Sequence, residues 1–290
     1  MGGRISGDGK DASVLTIAQI TDLHITTDRD PENRHRNATR LESVLKAIHG
    51  LHPRPAAIVA SGDLTDVGAP EEYVALAEIL ARSEIPLHLT VGNHDRRQAF
   101  LDTFAGAHAL PDPNGFVQYA VDVGNLRLVV CDSLDENGDE GAFCEARAAW
   151  LAETLDAAPD RPTVVVIHHP PIPSGIQWMD PDPAADWILR LEAVLAHREQ
   201  VCAVICGHVH RAFQGMFAGK VVSVSAATSL QLTLNLTPVD RRVADGRQIL
   251  IGEPPGFALL TWTGGALITH HCVAGDFPDP ITYDKPFDAT

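Results

Sequence analysis

The stretch LTVGNHDRR, Leu89 to Arg97, ends an apolar run on a glycine and follows it with three strong polar groups in tandem, Asn93, His94 and Asp95. A tight turn needs a glycine and an asparagine at most. A histidine flanked on both sides by polar groups asks for a second explanation, namely side chains converging on a ligand.

The same ending recurs along the chain. Apolar runs that read as buried strands are followed by Thr21-Asp22-Leu23-His24 after Val14–Ile20, and by Ser61-Gly62-Asp63 after Ala57–Ala60. Gly92-Asn93-His94-Asp95 follows Leu87–Val91, His168-His169-Pro170 follows Thr163–Ile167, and Gly207-His208-Val209-His210 follows Val201–Cys206. Taken singly, a Gly-Asp is a turn, a His-His-Pro-Pro a rigid strand exit and a Gly-Asn-His-Asp an Asx-turn. Taken in order, each at a strand end, they point to one site, because α/β folds bind ligands at the carboxyl ends of their strands. His, Asp and Asn are the side chains that hold borderline metals. Asp22-x-His24 and His208-x-His210 are i, i+2 pairs, which share a side where the backbone is extended. The glycines before Asp63, Asn93 and His208 permit sharp turns and close approach. Seven candidate ligands result: Asp22, His24, Asp63, Asn93, His168, His208 and His210. With Asp63 bridging through its two oxygens, that number suits two metal ions about 3.5–4 Å apart, the clamp used for phosphoester hydrolysis.

Between the strands, Leu41, Val44, Leu45 and Ile48 at helical spacing predict a helix over 38–49 closed by Gly50. Another helix is expected from Glu71, and further ones over 142–157 and 185–197. Strand–helix alternation predicts a mainly parallel sheet covered by helices. Residues 115–131 read as a hairpin turning at Gly124-Asn125, and the last third reads as β over 220–226, 229–237, 257–263 and 266–271. Leu230, Leu232, Leu234 and Leu236 alternate with Gln231, Thr233 and Asn235, an apolar edge that needs covering either within the chain or by a second subunit.

With 290 residues, 45% of them hydrophobic and 21% charged, the chain has a globular composition. A formal net charge of −16 excludes a phosphate-backbone binder with a basic face. It does not exclude a small anionic substrate, since bound metal would make the site locally cationic. Cys131, Cys144, Cys202, Cys206 and Cys272 are an odd set, and Cys202 and Cys206, about 13 Å apart at strand rise, cannot bridge each other. Free thiols in a reducing cytosol are expected. MGGRISGDGK has no apolar core and no 18-residue apolar run occurs, so neither a signal peptide nor a membrane span is expected.

Together, Asp22-x-His24, Gly62-Asp63, Gly92-Asn93-His94-Asp95, His168 and Gly207-His208-x-His210 resemble the full motif set of the calcineurin-like metallophosphoesterases. IHHPPIPSGIQWMDPD (167–182) and, more weakly, FPDPITYDKPFD near the end are similar to the bacterial class III phosphodiesterases. That group includes cyclic-nucleotide phosphodiesterases and GpdQ-type glycerophosphodiesterases. The resemblance implies an α/β (α+β) fold, a four-layer αββα sandwich of two mixed sheets flanked by helices. It implies a flexible terminus over 1–13, a core over 14–227 and a cap or oligomerisation segment over 228–256. Residues 257–290 would complete the core, and the 172–186 loop would add to the cap. One metal would take Asp22, His24, Asp63 and His210; the other Asp63, Asn93, His168 and His208. Of the adjacent pair, His168 is chosen over His169 because it directly follows the strand. Iron, manganese, zinc and cobalt all suit such a set. Asn93 and His94 would touch substrate, His94 would serve the leaving oxygen, and Asp95 would hold the His94 ring. A metal-bridging hydroxide would attack phosphorus in line with the leaving alkoxide. The implied enzyme is a dinuclear, cytoplasmic phosphodiesterase for 3',5'-cyclic nucleotides such as cAMP or for glycerophosphodiesters. It would be homo-oligomeric, with no nucleic-acid polymer or membrane as partner. A phosphomonoesterase or protein phosphatase, or a non-catalytic metal-binding scaffold, is the alternative. Trp178 could stack on a nucleobase or plug a subunit contact, and Arg96 and Arg97 could hold phosphate or be ion-paired.

Overall fold

The computed structural model describes residues 14–106, 111–240 and 242–278. The expected N-terminal segment 1–13 and most of the FPDPITYDKPFD tail lie outside them. In chain order the elements are β1 Leu15–Ile20, α1 Pro31–His49, β2 Ala57–Ser61, α2 Pro70–Leu80, β3 Leu87–Thr90 and α3 Arg97–Phe104. There follow β4 Tyr119–Val123, β5 Leu126–Cys131, α4 Glu145–Asp156, β6 Thr163–Ile167, α5 Asp186–Leu195 and β7 Val201–Cys206. The chain then becomes β only: β8 Phe213–Phe217, β9 Lys220–Val224, β10 Gln231–Leu232, β11 Leu250–Ile251, β12 Gly256–Trp262 and β13 Leu267–Val273.

The strands form two mixed sheets, ordered β13-β12-β1-β2-β3 and β4-β5-β6-β7-β9-β8, plus the small ribbon β10-β11. β1, β2 and β3 are parallel, as are β5, β6, β7 and β9; antiparallel strands close the β12-β13 side of the first sheet and both edges of the second. Strands covered on both faces read as unbroken apolar runs, which is why TVVVI of β6 and AIVAS of β2 are buried at every position. The period of two decides the layering. Leu128, Val130, Val164, Val166 and Ile205 pack in the same cluster as the first sheet and α1 to α3. Their neighbours Val129, Cys131, Val165, Ile167 and Val204 pack with Leu151, Leu155, Ile188 and Leu191 of α4 and α5. The result is helices, sheet, sheet, helices: the expected αββα sandwich.

Three local expectations are corrected. The first helix begins at Pro31, not 38, because Asp30 caps it by accepting from the Glu32 N–H at 2.9 Å and Pro31 supplies a preset φ. The expected strand over 229–237 shrinks to β10, and its leucines do not share one face. Leu232 is buried and Leu230 half-buried, whereas Leu234 and Leu236 are 62% and 59% exposed. α3 and β8 were not foreseen; α3 is short, and Gln214 and Gly215 interrupt the apolar residues of β8. All five cysteines are free thiols, and no helix of the described residues is long and apolar enough to cross a membrane.

Asp132, directly after β5, ties the two sheet systems together. Fully buried, it takes Arg97 of α3 in a two-pronged ion pair, with Nε at 2.7 Å and Nη2 at 3.1 Å, and lies 3.6 Å from Arg147 of α4. Its oxygens also accept the Val117 and Leu134 N–H groups at 2.9 Å. Removing the carboxylate takes the acid from mostly buried Arg147 and leaves Arg97 only its longer pair with Glu136 at 3.7 Å among the described residues. Asp132→Ala should therefore lower the stability by about 3–5 kcal/mol, read as a lower urea midpoint at unchanged slope.

Candidate metal centre

Five loops meet at the carboxyl ends of parallel strands from both sheets, β1, β2 and β3 from one, β6 and β7 from the other. Backbone hydrogen bonds zip them together: Asp22 N to Gly62 O at 3.0 Å, Leu23 N to Asp63 O at 2.8 Å and Gly207 N to His168 O at 3.0 Å. Gln19 of β1 crosses between the sheets, donating from Nε2 to both Ser61 Oγ and Cys206 O at 2.9 Å. Close approach explains two glycines. A β-carbon on Gly92 would overlap Asp63 Oδ1 and lie 2.7 Å from His168 Cδ2; one on Gly207 would overlap Thr21 Oγ1.

The i, i+2 pairs converge by a route other than extended backbone. Asp22, His24, Asp63, His208 and His210 have φ of 51°, 45°, 48°, 71° and 54°. Left-handed conformations at non-glycine residues are strained and concentrate at functional sites. Within each pair the middle residue, Leu23 or Val209, is buried and anchors the turn while its neighbours serve the site.

Asp22, His24, Asp63 and His210 bring one donor atom each within 4.8 Å of the others. His210 Nδ1 donates to Leu230 O at 2.7 Å, and His24 Nδ1 faces Asp66 Oδ1 at 3.4 Å. A proton on Nδ1 of each ring would turn a lone pair outward from each Nε2. The two Nε2 atoms stand 3.0 Å apart. Opposed lone pairs at that distance repel unless a cation lies between them, and burial holds His210 below the usual imidazole range.

The second group is built alike. His168 Nδ1 donates to Ser61 O at 2.8 Å, which aims Nε2 at Asn93 Oδ1, 3.2 Å away, and at Asp63 Oδ2, 3.3 Å away. His208 Nδ1 lies 3.0 Å from the same Asn93 oxygen. Asp63 joins the groups through one oxygen rather than two. Oδ1 accepts the His94 N–H at 2.9 Å, while Oδ2 faces both His168 and, at 3.7 Å, His24. His169 brings a donor atom within 4.8 Å of His168 and His208, while its Nδ1 pairs with Ser133 Oγ at 2.8 Å.

Without metal the groups neutralise one another with protons. Burial, opposed chiefly by His168, pushes Asp22 up to about 6. Burial also works to raise Asp63, but the neighbouring imidazoles, His168 foremost, hold its carboxyl well below the usual range. His168 is raised to about 9 because Asp63 outweighs the effect of its burial, whereas burial and His168 push His208 down to about 3. Lone-pair nitrogens and carboxylate oxygens crowded into one buried space, with N–H groups turned away, fit divalent cations.

Asp95 does not hold the His94 ring. Fully buried, it accepts from Gly92 N at 2.8 Å, Leu64 N at 3.1 Å, Thr65 Oγ1 at 3.1 Å and Tyr73 Oη at 3.0 Å. It shapes the loop rather than the chemistry. The His94 ring is held by Asp66, whose carbonyl accepts from Nδ1 at 2.7 Å, leaving Nε2 facing outward beside His24 at a ring separation of 4.5 Å. Burial opposes a charge on His94, but Asp63 and the Asp66 carbonyl prevail and raise its pKa. Asp66 was missed; its only signal was Gly-Asp-x-x-Asp, one turn beyond Asp63. Arg97 is paired with Asp132, and Arg96 donates to Asp95 O at 2.7 Å. Trp178, half-buried, lines a cavity of about 360 Å³ together with His24, Asn93, His94, His208 and His210.

Gly92→Ala should cost about 1–3 kcal/mol by overpacking, since the new methyl meets the Asp63 backbone as well as its carboxylate. It should also weaken divalent-metal binding. Urea denaturation and Mn²⁺ titration would check the two effects.

The calcineurin-like phosphoesterase family model matches residues 15–212. Glycerophosphodiester phosphodiesterase GpdQ of Enterobacter lignolyticus is 34% identical over 280 residues, covering 93% of this chain and 95% of that protein. The 3',5'-cyclic adenosine monophosphate phosphodiesterase CpdA of Pseudomonas aeruginosa is 30% identical over 226 residues, 76% of this chain and 78% of that one. Among solved structures, purple acid phosphatase PPD1 from yellow lupin seeds matches with a TM-score of 0.63 at 14% identity. The match spans 90% of this chain and 52% of that chain, a likeness of fold alone.

Proposed function

This chain belongs to the calcineurin-like phosphoesterase family, and from that premise we propose that it is a dinuclear metal-dependent phosphodiesterase acting on small phosphodiesters. The observation that carries the reading is the single oxygen Asp63 Oδ2 facing two donor groups, with His94 beside them. Asp22, His24, Asp63 and His210 would hold one ion; Asp63, Asn93, His168 and His208 the other. When bound, such ions polarise the phosphoryl group and acidify a water nucleophile.

The chain's own residues do the rest. His94 presents Nε2 to the leaving alkoxide and delivers its proton there, while the Asp66 carbonyl fixes the ring through Nδ1. A raised pKa keeps that proton available near neutral pH. Asn93 and His94 contact the phosphate, and Trp178 forms the wall on which a substrate arm or nucleobase rests. A diester is favoured over a monoester because Arg96 and Arg97 are spent on Asp95 O and Asp132, so neither is offered to the extra charge of a monoester. Relatives named for glycerophosphodiesters and for cyclic AMP support both substrate classes. The free thiols suit a reducing cytosol, and the exposed Leu234, Leu236, Val243 and Ile249 suit a homo-oligomeric contact.

Metal-stripped protein should be inactive on bis(p-nitrophenyl) phosphate and regain activity with Mn²⁺. His94→Ala should lower kcat by about 10²–10⁴ while retaining its metal; a metal-loaded wild type that leaves the diester intact would sink the proposal. Metal analysis adds a count: His210→Ala should hold about one ion fewer per chain, and Asp63→Ala should lose both. Hydrolysis of cyclic AMP against glycerophosphoethanolamine ranks the two substrate classes.

A further inference from the structure

Two cavities flank Trp178, and they differ in charge. The first, of about 360 Å³, has Arg36 of α1 on its wall together with His24 and His94. The second, of about 550 Å³, shares Asp139, Trp178, Met179 and His208 with the first and adds Glu140, Asp180 and Asp182. Arg36 is the one lysine or arginine among the described residues of the first wall, and the second wall has none. His94 lines the first cavity and not the second.

Arg36 is exposed and makes no ion pair or hydrogen bond among the described residues. Other arginines of this region are occupied. Arg40, one turn on, donates to Ser229 O and Glu253 O, Arg211 pairs with Glu253 at 2.9 Å, and Arg97 pairs with Asp132. Asp66, on the same wall as Arg36, turns its carboxylate toward His24 Nδ1 at 3.4 Å instead. In a chain with 38 acidic and 22 basic side chains, a guanidinium on a cavity wall without a carboxylate of its own is open to a ligand's anion. Its place is fixed by the next residue: Asn37, 7% exposed, donates from Nδ2 to His24 O at 2.8 Å. The helical turn that carries Arg36 is thereby pinned to the backbone of a candidate ion ligand.

We propose that Arg36 is a specificity-determining residue, pairing with a second negative charge on the leaving arm of the diester. The proposal rests on the phosphodiesterase reading and deepens it. The scissile phosphate belongs to the candidate ions, and a further anionic group suits the planar, two-pronged guanidinium. The carboxylates of the second cavity repel a charge of their own sign, so an anionic arm is steered to the side of Trp178 that holds His94. When the P–O bond to that arm breaks, the arm departs as an alcohol carrying the His94 proton, and its anionic group stays on Arg36 until release.

The test uses metal-loaded full-length enzyme and two methyl phosphodiesters, one with 3-carboxy-4-nitrophenolate and one with 3-carbamoyl-4-nitrophenolate as leaving arm. The carboxamide is the more electron-withdrawing group, so any preference for the carboxylate runs against intrinsic reactivity. Wild type should favour the carboxylate by about tenfold in kcat/KM, and the margin should shrink as salt is raised. Arg36→Ala should abolish the margin, Arg36→Lys should keep part of it and Arg36→Glu should reverse it. Because both substrates are compared on one protein, the margin does not depend on how much of a variant is folded. Turnover of both diesters without a margin overturns this proposal alone, as does a margin that survives Arg36→Ala. No turnover of any diester, bis(p-nitrophenyl) phosphate included, overturns the phosphodiesterase reading with it.

Discussion

Asp63 Oδ2 faces His24 from one sheet system and His168 from the other, and the geometry of the centre follows from keeping it there. The other oxygen, Oδ1, accepts the His94 N–H, which orients the carboxylate with Oδ2 toward the two histidines. Its backbone carbonyl in turn accepts the N–H groups of Leu23 and His24. One residue thereby sets the position of a ligand from β1, of the loop carrying His94, and of the junction between two donor groups. A buried carboxylate in such a place is costly unless paired. Here the partners are His168 at 3.3 Å, which Asp63 in turn raises to about 9, and His24 at 3.7 Å.

Holding five site residues in left-handed backbone takes a frame that does not relax. The two-sheet sandwich provides it, because the exits of β1, β2, β3, β6 and β7 are hydrogen-bonded to each other before any ligand is considered. Strain of this type, about 1–3 kcal/mol per residue, is tolerable where the surrounding core is buried on both faces of both sheets. Gln19 and Asp132 belong to that frame although neither touches the site. The first crosses between β1 and β7, and the second joins α3 to the end of β5.

What could be read in the sequence is what local pattern encodes. Apolar runs fully buried on both faces, such as TVVVI, announce themselves, and so does a polar ending repeated at five of them. Gly92 and Gly207 were legible as points of close approach for the same reason. Asp66 was not, since its contributions are a carbonyl and a long contact to His24, and a carbonyl carries no residue signature. For Asp95 the family resemblance implied a hold on the His94 ring. Its side chain turns instead toward Leu64, Thr65 and Tyr73. The leucines of 230–236 failed on other grounds: a period of two states that alternate positions are alike, but not that one stretch of chain keeps one face covered along its length. Leu232 is covered near His210, whose carbonyl receives the Leu232 N–H; Leu234, two residues on, has already left the cavity.

That change of role along a short segment bears on how chemistry and substrate choice are divided. The candidate ligands and His94 sit on strand exits, whereas Trp178, Ile249 and Leu250 come from the 172–186 loop and the 228–256 segment, which contributes the two-residue ribbon β10-β11. Ser229 lies at the seam, with its N–H on Asp22 O and its residue among those lining the cavity. Changes beyond the seam act on the cavity wall, whereas the candidate ion positions are set by residues of the strand exits. Changes before it disturb both at once. An acidic chain of net charge −16 could then serve an anionic substrate, since cations held at the strand exits would supply the attraction to phosphate. Discrimination would be left to contacts on the cavity wall.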